Sequence, residues 1–479
     1  LAALGMTWMP LSTLSTLPIT AVLEPFGLGW AAGSVMTACY GGGTVWMLIK
    51  LAHHVEASPL LTITVVGLFA FNPVFIFWMG SAMMEAPSVF FLTWACVAWI
   101  RWVEHRATVD LAIVGVALGF GMMTRYEQVV ATAAFCGLVW FAARKEQRLA
   151  SVMMVGLPSV AVIAVWLSVN FVIRGSFFAF VGAPPVGGEC GGFLPISLRD
   201  PSRNIYDWCQ VDLSTWDGIR FGAARFLRFA PALIVPIPFL LAIDLRRRWR
   251  YSVVLAVLCA GLAGPAFASW LTHQGRTSGN PRYFYTAIII PPLLALWAAG
   301  RTSTVKNRFW APAITVMLAV GVFTSVRLEL TQLYTGVEGE ESAISRLTGL
   351  APVRLDGSTT TQGTGVDQWR AAAARLDSVT TDDDLIAMDS SSGFPVLLFS
   401  DHLDRFAIPE DRDFEQLLSL TDSRFTYVVV RGTSSATGVD QKLSSLVTST
   451  GGKYTWEQVD DLGGFGQLWK RSDPPDTEP

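Results

Sequence analysis

Charge is what this sequence lacks. Only 15% of its 479 residues are Asp, Glu, Lys or Arg, against about 25% in an ordinary soluble domain. Cysteine is scarce as well, with six in the whole chain, too few and too scattered for a disulfide scaffold. What is present is apolar: 52% hydrophobic residues with 18 Trp and 29 Phe, and a mean hydropathy of +0.43. That composition excludes a disordered or collagen-like chain and speaks against an ordinary cytosolic enzyme.

The formal net charge of −3 hides a polarised chain. Residues 1–326 carry 22 Lys/Arg against 13 Asp/Glu, and residues 327–479 carry 13 against 25. The expected fold class is therefore mainly α, a polytopic transmembrane bundle over 1–326 with a C-terminal extracytoplasmic α/β domain over 327–472. Residues 473–479, Asp-Pro-Pro-Asp-Thr-Glu-Pro, read as a disordered tail.

Ten apolar runs reach or approach the length that crosses a hydrocarbon core of about 30 Å. They lie near 29–51, 59–79, 86–103, 110–124, 128–143, 150–172, 221–243, 251–271, 284–300 and 309–326. The runs at 110–124 and 128–143 are short, so one of them is expected to be broken or re-entrant. Alternate connections hold the cations Lys50, Arg101 with Arg106, Arg144-Lys145 with Arg148, Arg246 to Arg250, and Arg301 with Lys306 and Arg308. Basic short loops face the cytoplasm. Residues 1–28, the 80–86 and 125–127 turns, the 173–220 and 272–283 loops and the C-terminal region then face outward, in a cytoplasmic (inner) cell membrane. The first residue is Leu and the first clear run travels inward, so an earlier span or signal is expected upstream. Cys190 and Cys209 share the outward 173–220 loop and are expected to pair, closing a loop of about twenty residues worth ~3 kcal/mol.

Beyond 326 the run Asp367 to Leu376 reads as a helix, 385–388 and 425–430 as strands, and 454–470 as a hairpin. The triplet Asp382-Asp383-Asp384 reads as a solvated turn.

Candidate chemistry comes from charges set among apolar runs, where they are costly. Glu85 lies in the outward turn Met79-Gly-Ser-Ala-Met-Met-Glu-Ala-Pro87, which contains no cation. It is a candidate catalytic acid or base, or else a carboxylate complementing a helix N-terminus. Thr124-Arg125-Tyr126-Glu127 puts a cation, a phenol and an anion in the next outward turn. Arg125 either holds a phosphate with Tyr126 and Glu127 in support, or forms a structural pair with Glu127. His273-Gln274-Gly275-Arg276 and Arg282-Tyr283 set basic and aromatic groups at the outward rim, suited to the phosphate of a lipid-linked donor. No residue set is assigned to a metal, because His53 and His54 have no Cys or further His at ligand spacing. No cofactor is named, and a divalent cation stays open. The triplet Gly41-Gly42-Gly43 reads as close helix packing.

The turn Met83-Met-Glu-Ala-Pro87, the run Leu118-Gly-Phe-Gly-Met-Met-Thr-Arg-Tyr-Glu127 and Arg282-Tyr283 entering a span resemble GT-C membrane glycosyltransferases. The nearest branch is the polyprenyl-phosphate-sugar-dependent one, similar to protein mannosyltransferases and arabinosyltransferases. The resemblance implies inverting transfer of a sugar from a polyprenyl-phosphate donor to a glycan, lipid or protein acceptor on the outer face. Its partners would be that donor, the acceptor and the bilayer, with no nucleic acid. It also implies a catalytic acid in the first outward loop, of which residues 1–28 offer only Glu24, a residue to which the role is not carried over. Glu85 takes the second outward acidic position. The readings from other classes are a multi-span transporter and an enzyme of the O-antigen ligase or polymerase kind.

Overall fold

The computed structural model describes residues 9–174 except 81, then 177, 252–273, 281–302 and, with short interruptions, 366–472. Helices occupy nearly all of the first three segments: α1 (Leu11–Leu23), α2 (Ala32–His54), α3 (Pro59–Ala70), α4 (Pro73–Gly80), α5 (Glu85–His105), α6 (Thr108–Met122), α7 (Gln128–Ala142), α8 (Arg148–Arg174), α9 (Val253–His273) and α10 (Ile290–Thr302). Three of the described helices, Ala32–His54, Glu85–His105 and Lys145–Val172, are long and apolar enough to cross a membrane. The chain is a membrane protein. The expected spans at 221–243 and 309–326 lie outside the described residues, as do the tail and the Cys190–Cys209 pair.

Burial ranks the helices. The apolar window of α5 is 83% buried while that of α8 is 17% buried, so α5 is the axis of the bundle and α8 its rim. Leu149, Met153, Leu157, Val160, Val165 and Val172 of α8 are exposed. Such a surface belongs in lipid rather than water.

Two expected spans are more broken than their hydropathy suggests, and proline accounts for both. The run 59–79 divides at Asn72-Pro73 into α3 and α4, because proline has no N–H to continue a helix and disfavours helical backbone just before it. The run 284–300 begins as a 3-10 helix, Pro281–Ile289, and becomes α-helical only at Ile290. Pro291 and Pro292 cannot donate back to Ala287 and Ile288. The runs at 110–124 and 128–143, one of which was expected to be broken or re-entrant, each form one continuous helix, α6 and α7, joined through residues 123–127. Residues 1–28, expected to be an outward loop, hold the extra helix α1. Its 13 residues span about 20 Å, short of a crossing. Leu11 N–H donates to the Met123 carbonyl at 3.0 Å and Ser15 bonds Tyr40 at 2.9 Å, which tie α1 to the bundle end that carries the 123–127 turn.

Small residues let the helices approach. A Cβ on Gly115 would lie 2.2 Å from the Met154 carbonyl oxygen, and one on Gly119 2.9 Å from Pro158. These two glycines, four apart on α6, form a face onto which α8 closes. Gly41 and Gly43 meet Met79 and Phe90 in the same way, while Gly42 faces open space.

The C-terminal region holds α11 (Val366–Val379), β1 (Ile386–Ala387), β2 (Phe406–Ala407), β3 (Tyr427–Val430), α12 (Gly438–Thr448), β4 (Thr455–Asp460) and β5 (Gln467–Ser472). The strands form one sheet in the order β2-β1-β3-β5-β4. The first three are parallel and β4–β5 is an antiparallel hairpin. Alternation along β3 divides two cores: Tyr427 and Val429 pack on Leu376 of α11, Val428 and Val430 on Leu443 of α12. Asp382 and Asp383 form a turn, with Asp384 accepting from Thr381 N–H at 2.7 Å.

Candidate functional site

The turn before α5 and the turn between α6 and α7 meet at one end of the bundle. Glu85 occupies the first position of α5, where Pro87 two residues later needs no intrahelical donor. Arg125 follows the C-terminus of α6, and its guanidinium reaches back to α5. Its Nη1 donates to Glu85 Oε1 at 2.6 Å, and its Nε donates to Glu127 Oε1. The cation missing from Glu85's own turn thus comes from forty positions further along the chain.

Around this triad the polar contacts continue. Tyr285, from the 3-10 helix 281–289, lays its ring under the Arg125 guanidinium at 5.1 Å. Its hydroxyl donates to Ser88 Oγ and approaches Glu127 Oε1 at 3.4 Å. Gln128 Nε2, at the start of α7, donates to the same Ser88 oxygen. The Trp78 indole of α4 meets the Tyr285 ring edge-on at 6.0 Å. Four separate stretches of chain therefore converge on one polar knot. Glu85 is 2% exposed, Arg125 8%, Glu127 6% and Tyr285 0%. Groups so buried keep their charge only when paired.

Two carboxylates face one guanidinium, so the knot is not balanced within itself. A phosphate arriving at Arg125 would have to compete with both carboxylates, and the contacts formed are those of the structural-pair reading, enlarged by Glu85. Tyr126 stands apart from this knot. Its hydroxyl accepts from Trp166 Nε1 at 3.1 Å, and its ring packs with Met9, Met122 and Trp166. Thr124 turns inward to the Gly121 carbonyl. Ala82, in the turn before Glu85, adopts φ 59°, a left-handed conformation that a β-carbon disfavours.

His273 ends α9 and Arg282-Tyr283 begin the 3-10 helix, but their side chains, with the whole of Gln274 and Arg276, lie outside the described residues. Ser88, Gln128 and Tyr285 were not singled out by the sequence. Their signal was faint: single polar groups inside apolar segments whose partners lie on other helices.

Residues 26–172 match the family described as dolichyl-phosphate-mannose-protein mannosyltransferase. The match bears out the resemblance to GT-C membrane glycosyltransferases, and both motifs at 83–87 and 118–127 fall inside it. No curated protein matches the sequence. Among solved structures, the chain is similar to the archaeal oligosaccharyltransferase AglB from Archaeoglobus fulgidus, in complex with an inhibitory peptide and a dolichol-phosphate. The identity is 10%, the TM-score 0.43, and the alignment covers 88% of this chain. The chain spans 61% of that protein's length.

Proposed function

We propose that this protein transfers a sugar from a polyprenyl-phosphate donor to an acceptor hydroxyl at the outer face of the membrane, with 327–472 as an outward domain. The observation that carries the reading is the buried Glu85–Arg125–Glu127 knot, at one end of an apolar bundle and inside the segment that matches the mannosyltransferase family. A transporter would be expected to hold its charges near mid-span, whereas these lie at helix ends.

The chemistry follows from the groups. An acceptor hydroxyl attacks the anomeric carbon of the donor sugar, the bond from that carbon to the phosphate oxygen breaks, and the polyprenyl phosphate leaves with the bonding pair. The proton of the hydroxyl needs a carboxylate. Glu85 supplies it: Oε1 is held by Arg125, and Oε2 takes the acceptor contact. Arg125 is a positioning residue that fixes both carboxylates, and Tyr285 backs it with its ring. Tyr126 anchors the 123–127 turn to α8 and so sets the frame of the knot. The leaving phosphate falls to the rim cations His273, Arg276 and Arg282, with Gln274 and Tyr283 beside them.

The test is donor class. Purified protein in lipid nanodiscs should transfer labelled sugar from a polyprenyl-phosphate donor, and should be inert with the corresponding nucleotide sugar. Turnover of the nucleotide sugar alone would overturn the reading.

A further inference from the structure

At the end of the bundle away from Glu85, about 30 Å along the 21 residues of α5, a second cluster has formed that no sequence spacing announces. His54 is the last residue of α2, and Glu104 and His105 are the last two of α5. One ligand atom from each lies within 4.8 Å of the others. His54 Nε2 is 2.7 Å from Glu104 Oε2, and the two imidazoles meet edge to face at 5.3 Å.

Two features separate this cluster from an ordinary ion pair. First, His54 Nε2 is shut off from solvent and makes no hydrogen bond, although the carboxylate oxygen is so near. Donor and acceptor are close but not aligned, as when two ligand atoms converge on a third centre. Second, the surroundings favour a cation. Both helices end at these residues, so their carbonyl termini add partial negative charge. Of the basic groups on these two helices and just after α5, Lys50 lies over the Trp46 ring at 5.5 Å, Arg106 over the Trp102 ring at 4.5 Å, and Arg101 pairs with Asp110 at 3.1 Å.

We propose that His54, Glu104 and His105 bind a first-row divalent metal ion of the zinc type and clamp the ends of α2 and α5 together. Two imidazole nitrogens and a carboxylate are a borderline donor set that suits zinc better than calcium or magnesium. Ligand atoms around a tetrahedral zinc with bonds of about 2.0 Å sit about 3.3 Å apart. Reaching that geometry takes a rotation of the exposed Glu104 and His105 side chains that opens the 2.7 Å His54–Glu104 pair and brings the more distant ligand atoms, now within 4.8 Å, closer. A water molecule would complete the fourth position. The clamp would fix the far end of the same helix whose first residue is Glu85.

Cobalt titration of the full chain in detergent tests this. One equivalent of Co(II) should give the visible absorption of a four-coordinate nitrogen and oxygen site, and Zn(II) should bleach it. His105→Ala, at an exposed position, should weaken binding by about tenfold or more, the scale of loss seen when the surroundings of such sites are changed. His53→Ala, one residue away from the cluster and also exposed, should leave binding unchanged. No cobalt band in the wild-type chain, equal affinity in His105→Ala, or a thiolate charge-transfer band from the cysteines would each overturn the assignment.

Discussion

Arg125 decides whether the knot is stable, and Glu85 decides what it can do. The guanidinium answers two carboxylates in a setting that excludes water, so the two sides of the pair are not equivalent. Glu85→Gln leaves Arg125 with Glu127, one charge against one, and keeps an oxygen for Nη1 to reach. Arg125→Ala leaves two buried carboxylates facing each other with no cation, and breaking such a pair costs about 3–5 kcal/mol. Glu85→Gln should therefore fold with a near wild-type melting temperature, while Arg125→Ala should melt far lower or fail to accumulate. Differential scanning fluorimetry of the two variants in detergent checks this, and equal melting temperatures would contradict the charge count. Each of the three charged residues was legible in the sequence, because a charge among apolar residues is conspicuous. Their union was not, since Glu85 and Arg125 stand forty positions apart and nothing local reports that two helix ends share a corner. The loss of Glu85's apparent isolation is the main revision: its neutralising cation comes through space.

Helix junctions show the same division between local and non-local information. The spans with uninterrupted apolar runs, α2, α5 and α8, begin and end close to where hydropathy places them. Two runs that contain proline read as continuous on a hydropathy scale yet break at Pro73 and at Pro291-Pro292, because the scale counts side chains and not backbone donors, whereas α8 and α9 carry Pro158 and Pro265 inside one helix. Helix contact is legible only as a pattern of glycines. For α6 on α8 that pattern makes a sharp prediction. Gly115→Ala places a methyl 2.2 Å from a backbone oxygen, where no rotamer can relieve it, and should destabilise by about 1–3 kcal/mol. Gly137→Ala on α7, with nothing within 4 Å of the added carbon, should be neutral or slightly stabilising through helix propensity. Thermal melting of the pair checks the sign of each. The β4–β5 hairpin offers a pH test. Burial pushes the Asp460 carboxyl up, but the Leu462 N–H at 2.8 Å and Arg375 Nε at 2.6 Å pull it further down. A lowered folded-state value means that Asp460 stabilises fully above the ordinary 3.8 and stops doing so as pH falls through the lower folded value. Hydrogen exchange of peptides over 455–472 in the full chain should be faster in Asp460→Asn than in wild type near pH 6. That difference should shrink as pH falls below 3.8 and through the lower folded-state value.

For the molecule as a whole, the charge imbalance already separates an apolar, cation-edged bundle from an acidic α/β region, and α11, β1, β3 and the β4–β5 hairpin fall where periodicity and alternation put them, whereas β2 and α12 were not foreseen. The extra helix α1 was not legible, because a 13-residue apolar helix is too short to register as a span and too apolar to look like a loop. The family resemblance was legible through two short motifs, at 83–87 and 118–127, whose Glu85 and Arg125 side chains turn out to touch. The measurement that tests the account most directly is steady-state transfer from a polyprenyl-phosphate sugar by wild type and Glu85→Gln in nanodiscs, with both proteins shown to be folded. If Glu85 takes the acceptor proton, kcat should fall by about 100-fold while KM for the donor, whose phosphate is held elsewhere, stays within a small factor. Wild-type kcat in a folded Glu85→Gln protein would contradict the account, and would leave Glu85 as no more than a carboxylate at the start of α5.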